Sequence, residues 1–207
     1  APTQRKNAGT GRRTPGAPPT EADQALRTRN GEEDDAMRNG RDRAEGTAAA
    51  GRVLRRELET LRRQVQAYPD ERQLWTVPAG LANSAGTLAI HLCGNLQHFV
   101  GALLGGTGYV RDRDREFAVR GLAREEILAQ IARAEAAVGA GLLDGGARPV
   151  PAEFPVEFGG ARLPTLVILA RLVAHFGYHL GQIDVHRRIV TGNAAAIEEP
   201  PVAMLAE

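Results

Sequence analysis

The stretch from Arg171 to Arg188, RLVAHFGYHLGQIDVHRR, decides the fold, because one of its faces is not ordinary core. At alternating four-three spacing the positions are Ile168, Leu172, His175, His179, Gln182, His186 and Ile189, a seam of the kind that faces inward in a helical bundle. It is apolar at both ends and rich in imidazole between them. Burying those rings costs free energy unless each finds a partner, and the strongest partner of a neutral imidazole is a metal ion. The rest of the chain then has to supply the missing ligands.

A chain of 207 residues makes one domain plus extensions and can bury a real core. The net charge of +1 gives no argument for nucleic acid or membrane as a partner. Arginine provides nearly all the basic residues, Lys6 being the only lysine, and beside the abundant Ala and Gly this reads as a coding bias. Cys93 is the only cysteine, so an intrachain disulfide is impossible. No uninterrupted apolar run approaches the roughly 18 residues of a membrane helix, Arg171 breaking the longest one. Arg12-Arg13 is not followed by the apolar segment of an export signal. These features predict a soluble, cytoplasmic protein.

Residues 1–48 hold Gly, Pro, Thr and mixed charge with almost no large apolar side chains, a composition that predicts a disordered arm; Met37 is a candidate natural start. The folded domain is then expected over 49–193, with a C-terminal tail at 194–207. Leu54, Leu58, Leu61 and Val65 predict a first amphipathic helix from about Thr47 to Ala67, ended by Pro69-Asp70, and Trp75 reads as a packing anchor in the following loop. Asn83-Ser84 offers an N-cap for a second helix that runs to Gly105-Gly106, with Leu88, His91 or Leu92, Asn95, Phe99 and Leu103 inward. Cys93 points away from His91.

A connection of about sixteen residues follows, GTGYVRDRDREFAVRG, able to span roughly 50 Å and so to travel back along a helix of ~30 Å. The third helix, near Ala123–Ala140, can therefore run parallel to the second. The strip Arg111-Asp112-Arg113-Asp114-Arg115-Glu116 reads as solvated and self-paired, with an anion-binding role for Arg111, Arg113 and Arg115 as the rival reading. Gly- and Pro-rich residues 141–164 predict a covering flap or small hairpin around Phe154-Pro155-Val156-Glu157-Phe158. Pro164-Thr165 opens the fourth helix, which ends at Thr191-Gly192-Asn193. The fold class is all-α, a four-helix bundle with a long second-to-third crossover.

His175 and His179 lie one turn apart on one face, and His91 on another helix can supply a third ligand across the core. Three histidines leave coordination positions for water or substrate, the pattern of a catalytic site. Zinc is the default ion; nickel, iron or manganese suit the same ligands. The bland alternative is three core histidines satisfied by carbonyls, and spacing alone does not choose between them. His98 and His186 sit ~10 Å along their helices from these ligands, as pocket or core residues. Asn95 and Gln182 are candidates for hydrogen bonds to the ligands or to a substrate. Phe176 stands where a zincin has its glutamate, and no Glu-x-x-His pair of a di-iron bundle occurs here. No carboxylate lies on the ligand-bearing faces.

The segments Asn83–Leu88 leading to His91-Leu92-x-Gly94-Asn95, Gly108–Asp114 with Glu116-Phe117, and His175-Phe176-x-Tyr178-His179-x-Gly181-Gln182-Ile183 together resemble the DinB/YfiT-like metalloprotein superfamily, over about Arg52 to Asn193. The resemblance implies up-down-down-up topology and a divalent ion held at His91, His175 and His179. It further implies transfer of a low-molecular-weight thiol to an electrophilic small-molecule substrate. A metal-dependent hydrolase and a non-catalytic metal-binding or stress-response bundle are the alternatives it leaves open. It also allows a homodimer.

Overall fold

The computed structural model describes residues 21–143 and 149–206, and among them the fold is all-α, with five α-helices and no strand. Two units divide at Gly40–Arg41. The first is helical from Glu21, with exposed side chains over 32–39 and an exposed Arg29–Glu33 pair at 3.8 Å. That helix, α1 (Glu21–Gln66), begins well before the Thr47 expected from apolar spacing. Apolar periodicity detects only the part of a helix that packs, whereas Ala, Arg and Glu favour helix without any burial. Of the arm expected to be disordered, residues 1–20 lie outside the described residues.

In the second unit, Leu54, Leu58, Leu61 and Val65 of α1 are all fully buried. A 3₁₀ turn at Glu71–Trp75, capped by Asp70 accepting from the Arg72 amide, buries Leu74 and presents Trp75. Helix α2 (Ala85–Leu96) starts at Ser84, whose Oγ accepts from the Thr87 amide, and is buried on every side. A π-helical segment, Gln97–Ala102, extends it. Then come a short α3 (Arg113–Ala118) within the crossover, α4 (Arg124–Val138) and α5 (Thr165–Thr191).

Contacts at the helix ends fix their directions. Trp75 packs on Gly86 and donates from Nε1 to the Leu122 carbonyl, so α2 and α4 start at the same end. Gly101 meets Ala137 and Gly141 meets Val100 where the two finish. At the Trp75 end, Tyr68, just past α1, bonds His186 near the close of α5, and Arg124 donates to the Tyr68 carbonyl. Helices α1 and α5 therefore run one way and α2 and α4 the other, as the long crossover allows.

The core face of α5 is Ile168, Leu172, Phe176, Leu180 and Ile183, all buried, while Ile189 is 53% exposed. A strict four-three seam has a period of 3.5, so on a straight helix of 3.6 it drifts off the buried face. The imidazoles at 175 and 179 border the core, half-buried, whereas His186 on the same seam is buried. By length and composition α5 is apolar enough to cross a membrane. One face of it packs in this core, Leu166, Val167, Tyr178, Val185 and Ile189 are exposed, and Arg171, Asp184, Arg187 and Arg188 interrupt its apolar run.

The segment before α5 is a small hairpin, as its alternating phenylalanines predict. The Phe154 amide donates to the Leu163 carbonyl at 2.9 Å, and Phe158 and Ala161 exchange both bonds. Gly159 and Gly160 turn it with φ of 60° and 81°, values glycine takes without steric cost. Phe154 is fully buried and anchors it.

His186 is core rather than pocket: Nδ1 faces the Tyr68 hydroxyl at 2.8 Å and Nε2 the Thr76 carbonyl at 2.8 Å. A carbonyl only accepts, so Nε2 carries the proton and Nδ1 accepts from Tyr68. Tyr68→Phe strands that nitrogen and should cost about 1–2 kcal/mol in urea unfolding, leaving metal uptake at the wild-type level.

Candidate metal centre

His91 on α2 and His175 and His179 on α5 come together, with one ligand nitrogen from each lying within 4.8 Å of the others. The Nε2 atoms of His91 and His175 are 3.3 Å apart. Metal–nitrogen bonds of about 2.0–2.1 Å in a tetrahedron place neighbouring nitrogens at roughly that separation.

Second partners fix the tautomers. His91 Nδ1 lies 2.9 Å from Glu116 Oε2. Burial pushes the Glu116 carboxyl up, but hydrogen bonds from Arg111 and His91 outweigh it and hold the group below the usual carboxylate range. An ionised carboxylate only accepts, so the His91 proton sits on Nδ1 and the Nε2 lone pair faces the other rings. His179 Nδ1 meets Gln182 Oε1 at 2.7 Å, which by the same logic leaves its Nε2 for a ligand. His175 Nδ1 is buried and has no partner among the described residues.

All the resolved imidazole shifts favour neutral rings. Burial first, then the neighbouring imidazoles and the cations Arg171 and Arg111, push His175 down to about 4. Burial lowers His179 against the opposing hydrogen bond that it donates to Gln182. Neutral imidazole is the ligating form, so the donor set suits a divalent cation.

Glu116 is the residue that sequence reasoning missed. Of the strip 111–116, only the four middle residues are exposed; Glu116 is 4% exposed and the Arg111 side chain 12%. Asp112 caps α3 by accepting from the Arg115 amide, and that single turn swings Glu116 inward. Arg111 donates from Nε at 2.7 Å and from NH2 at 2.8 Å, a bidentate pair that fixes both carboxylate oxygens. The carboxylate at the site comes from the crossover, not from a helix that bears one of the three histidines, whose faces carry none, as expected from the sequence. A signal was present in Gly94, where a Cβ would stand 2.2 Å from Glu116 Oε1. Glu116 and Gly94 also border a cavity of about 360 Å³ beneath the crossover.

The other expected site residues divide. Gln182 reaches a ligand, and Asn95 is buried one turn beyond His91. His98 belongs to the π-helical segment, its ring against Phe99 and its Nδ1 buried without a partner, and burial lowers its pKa. Cys93 is fully buried in the core, its thiol pushed up by that burial. Comparison with protein-family models, with curated proteins and with solved structures finds no match.

Proposed function

We propose that the protein is a DinB-like metal-dependent enzyme that transfers a small thiol to an electrophilic substrate. In this reading α1, α2, α4 and α5 form an up-down-down-up four-helix bundle, and His91, His175 and His179 hold a divalent ion, zinc first among the candidates. The observation that carries it is the convergence of three imidazoles from two helices, one of them oriented by a buried carboxylate. That arrangement matches the carboxylate–histidine–metal pattern, and three protein ligands leave positions for reactants.

Bound there, a divalent ion supplies Lewis acidity that favours the thiolate form of a coordinated thiol at neutral pH. The chain's own part is orientation. Glu116 holds the proton on His91 Nδ1, Gln182 does the same for His179, and Arg111 keeps Glu116 ionised. With both its oxygens occupied, Glu116 serves as a positioning residue rather than as a proton acceptor for a reactant. Zinc-loaded protein is to be screened for thiol transfer to an electrophile, with and without chelator. Chelator-sensitive transfer supports the reading. Stoichiometric zinc with no exchangeable coordination position would leave a structural, non-catalytic metal protein.

The pH dependence follows from the imidazoles. The unperturbed ring titrates near 6.5, His175 near 4, and His179 is lowered in the same sense. Between those values an unfolded chain binds more protons than the metal-free fold. The contribution of these rings is complete above pH 6.5 and is lost as pH falls toward 4. In the folded chain protons displace the ion only as pH approaches these lowered values, so zinc content measured after dialysis should hold at pH 7 and be lost as pH falls toward 4.

A further inference from the structure

Two phenylalanines and two arginines form one continuous patch beside the imidazole cluster. Phe99 of the π-helical segment and Phe158 of the hairpin lie 5.2 Å apart, centroid to centroid. The Arg111 guanidinium stands 5.6 Å from the Phe99 ring centre and that of Arg171 5.2 Å from the Phe158 ring centre. Arg171 is one helical turn before His175, so both project from neighbouring positions of the same side of α5. The patch thus adjoins the proposed metal position through two independent elements, since Arg111 also shares Glu116 with His91.

The charges are unequal. Glu116 neutralises Arg111, whereas Arg171 is exposed and has no carboxylate partner among the described residues. A guanidinium held over an aromatic ring keeps its planar N–H fork for a carboxylate. His98, in ring contact with Phe99, brings a buried and unpartnered Nδ1 to the same patch. Neither phenyl ring is sealed, both being half-buried. The two half-buried rings, tilted by 48° to each other, leave aromatic surface for a flat body to pack on, and an unmatched fork at their edge would accept its anion.

We propose that the small molecule handled at this site is a carboxylate on a flat, unsaturated body, with Arg171 binding the anion and Phe99 and Phe158 the body. This rests on the metal reading for what happens to the molecule, though not for its binding. The probes are benzoate, cyclohexanecarboxylate and benzamide, titrated calorimetrically into full-length zinc-loaded protein and its Arg171→Gln and Phe158→Leu variants, with zinc content measured on every sample.

Benzoate is expected to bind saturably and more tightly than either analogue. Arg171→Gln should weaken it at least tenfold, and Phe158→Leu should remove its advantage over cyclohexanecarboxylate. The proposal is overturned by any of three results: no saturable benzoate binding, equal binding of benzamide, or wild-type affinity in Arg171→Gln. Arg171 is exposed, so its replacement leaves the core intact. A protein that takes up no zinc sinks the metal reading alone, because the benzoate comparison can still be made on that metal-free chain.

Discussion

His179→Ala should abolish stoichiometric zinc binding, and His91→Ala should do the same from the other helix. Structural zinc sites gain about 10–16 kcal/mol from four ligands, so one ligand is worth roughly 3 kcal/mol, or ~100-fold in affinity. A two-histidine remnant would therefore lose its ion to a mild chelator that the wild type resists. The same variants should lose the rise in Tm that added zinc gives the wild type, since an ion that binds only the folded state stabilises it by mass action. His179 borders the core, half-buried, so its replacement should leave the metal-free chain folded; His91 is buried and bonded to Glu116, so the zinc content of His91→Ala is read beside its urea midpoint. Full metal content in His179→Ala, measured by elemental analysis, would remove His179 from the ligand set. Thiol transfer retained by metal-free His91→Ala would sink the metal-dependent mechanism.

The histidine cluster was legible because two of its members are four residues apart on one helix, where spacing alone sets them side by side, and the third lies on a face that amphipathic periodicity turns inward. Glu116 was not legible for the opposite reason. It follows His91 by a crossover whose path no periodicity describes, and its local neighbours, alternating Arg and Asp, read as a self-sufficient surface strip. Only the folded chain shows that Arg111 and Glu116 leave that strip together and take the His91 ring between them and α2. The positions of His98 and Phe99 were hidden by a different effect. A π-helical turn, with the Leu103 amide bonded to the His98 carbonyl, changes the angular phase that an ideal helical wheel assumes. Helix boundaries within the packed unit were read well wherever a cap had a chemical signature, as at Ser84. Where α1 continues beyond its packed part, apolar spacing carried no information.

Glu116 separates two effects that a single substitution would merge. Glu116→Ala removes the one carboxylate among the described residues that bonds Arg111 and leaves that guanidinium, mostly buried, without this counter-charge. Stranding one partner of a buried pair costs about 3–5 kcal/mol, so this variant should be clearly destabilised in denaturant. Glu116→Gln keeps the shape and one acceptor oxygen while losing the charge. It should unfold closer to the wild type, yet bind zinc about 10–100-fold more weakly, because the His91 Nδ1 proton is held less firmly and Nε2 becomes a poorer donor. Gly94→Ala should resemble it, since the new methyl group would occupy space within 2.2 Å of Glu116 Oε1 and drive the carboxylate off His91. Zinc competition titrations on the two variants, set beside their urea midpoints, give the decisive comparison. If both bind zinc as tightly as the wild type, Glu116 merely neutralises Arg111, and the His91 tautomer is set by something else.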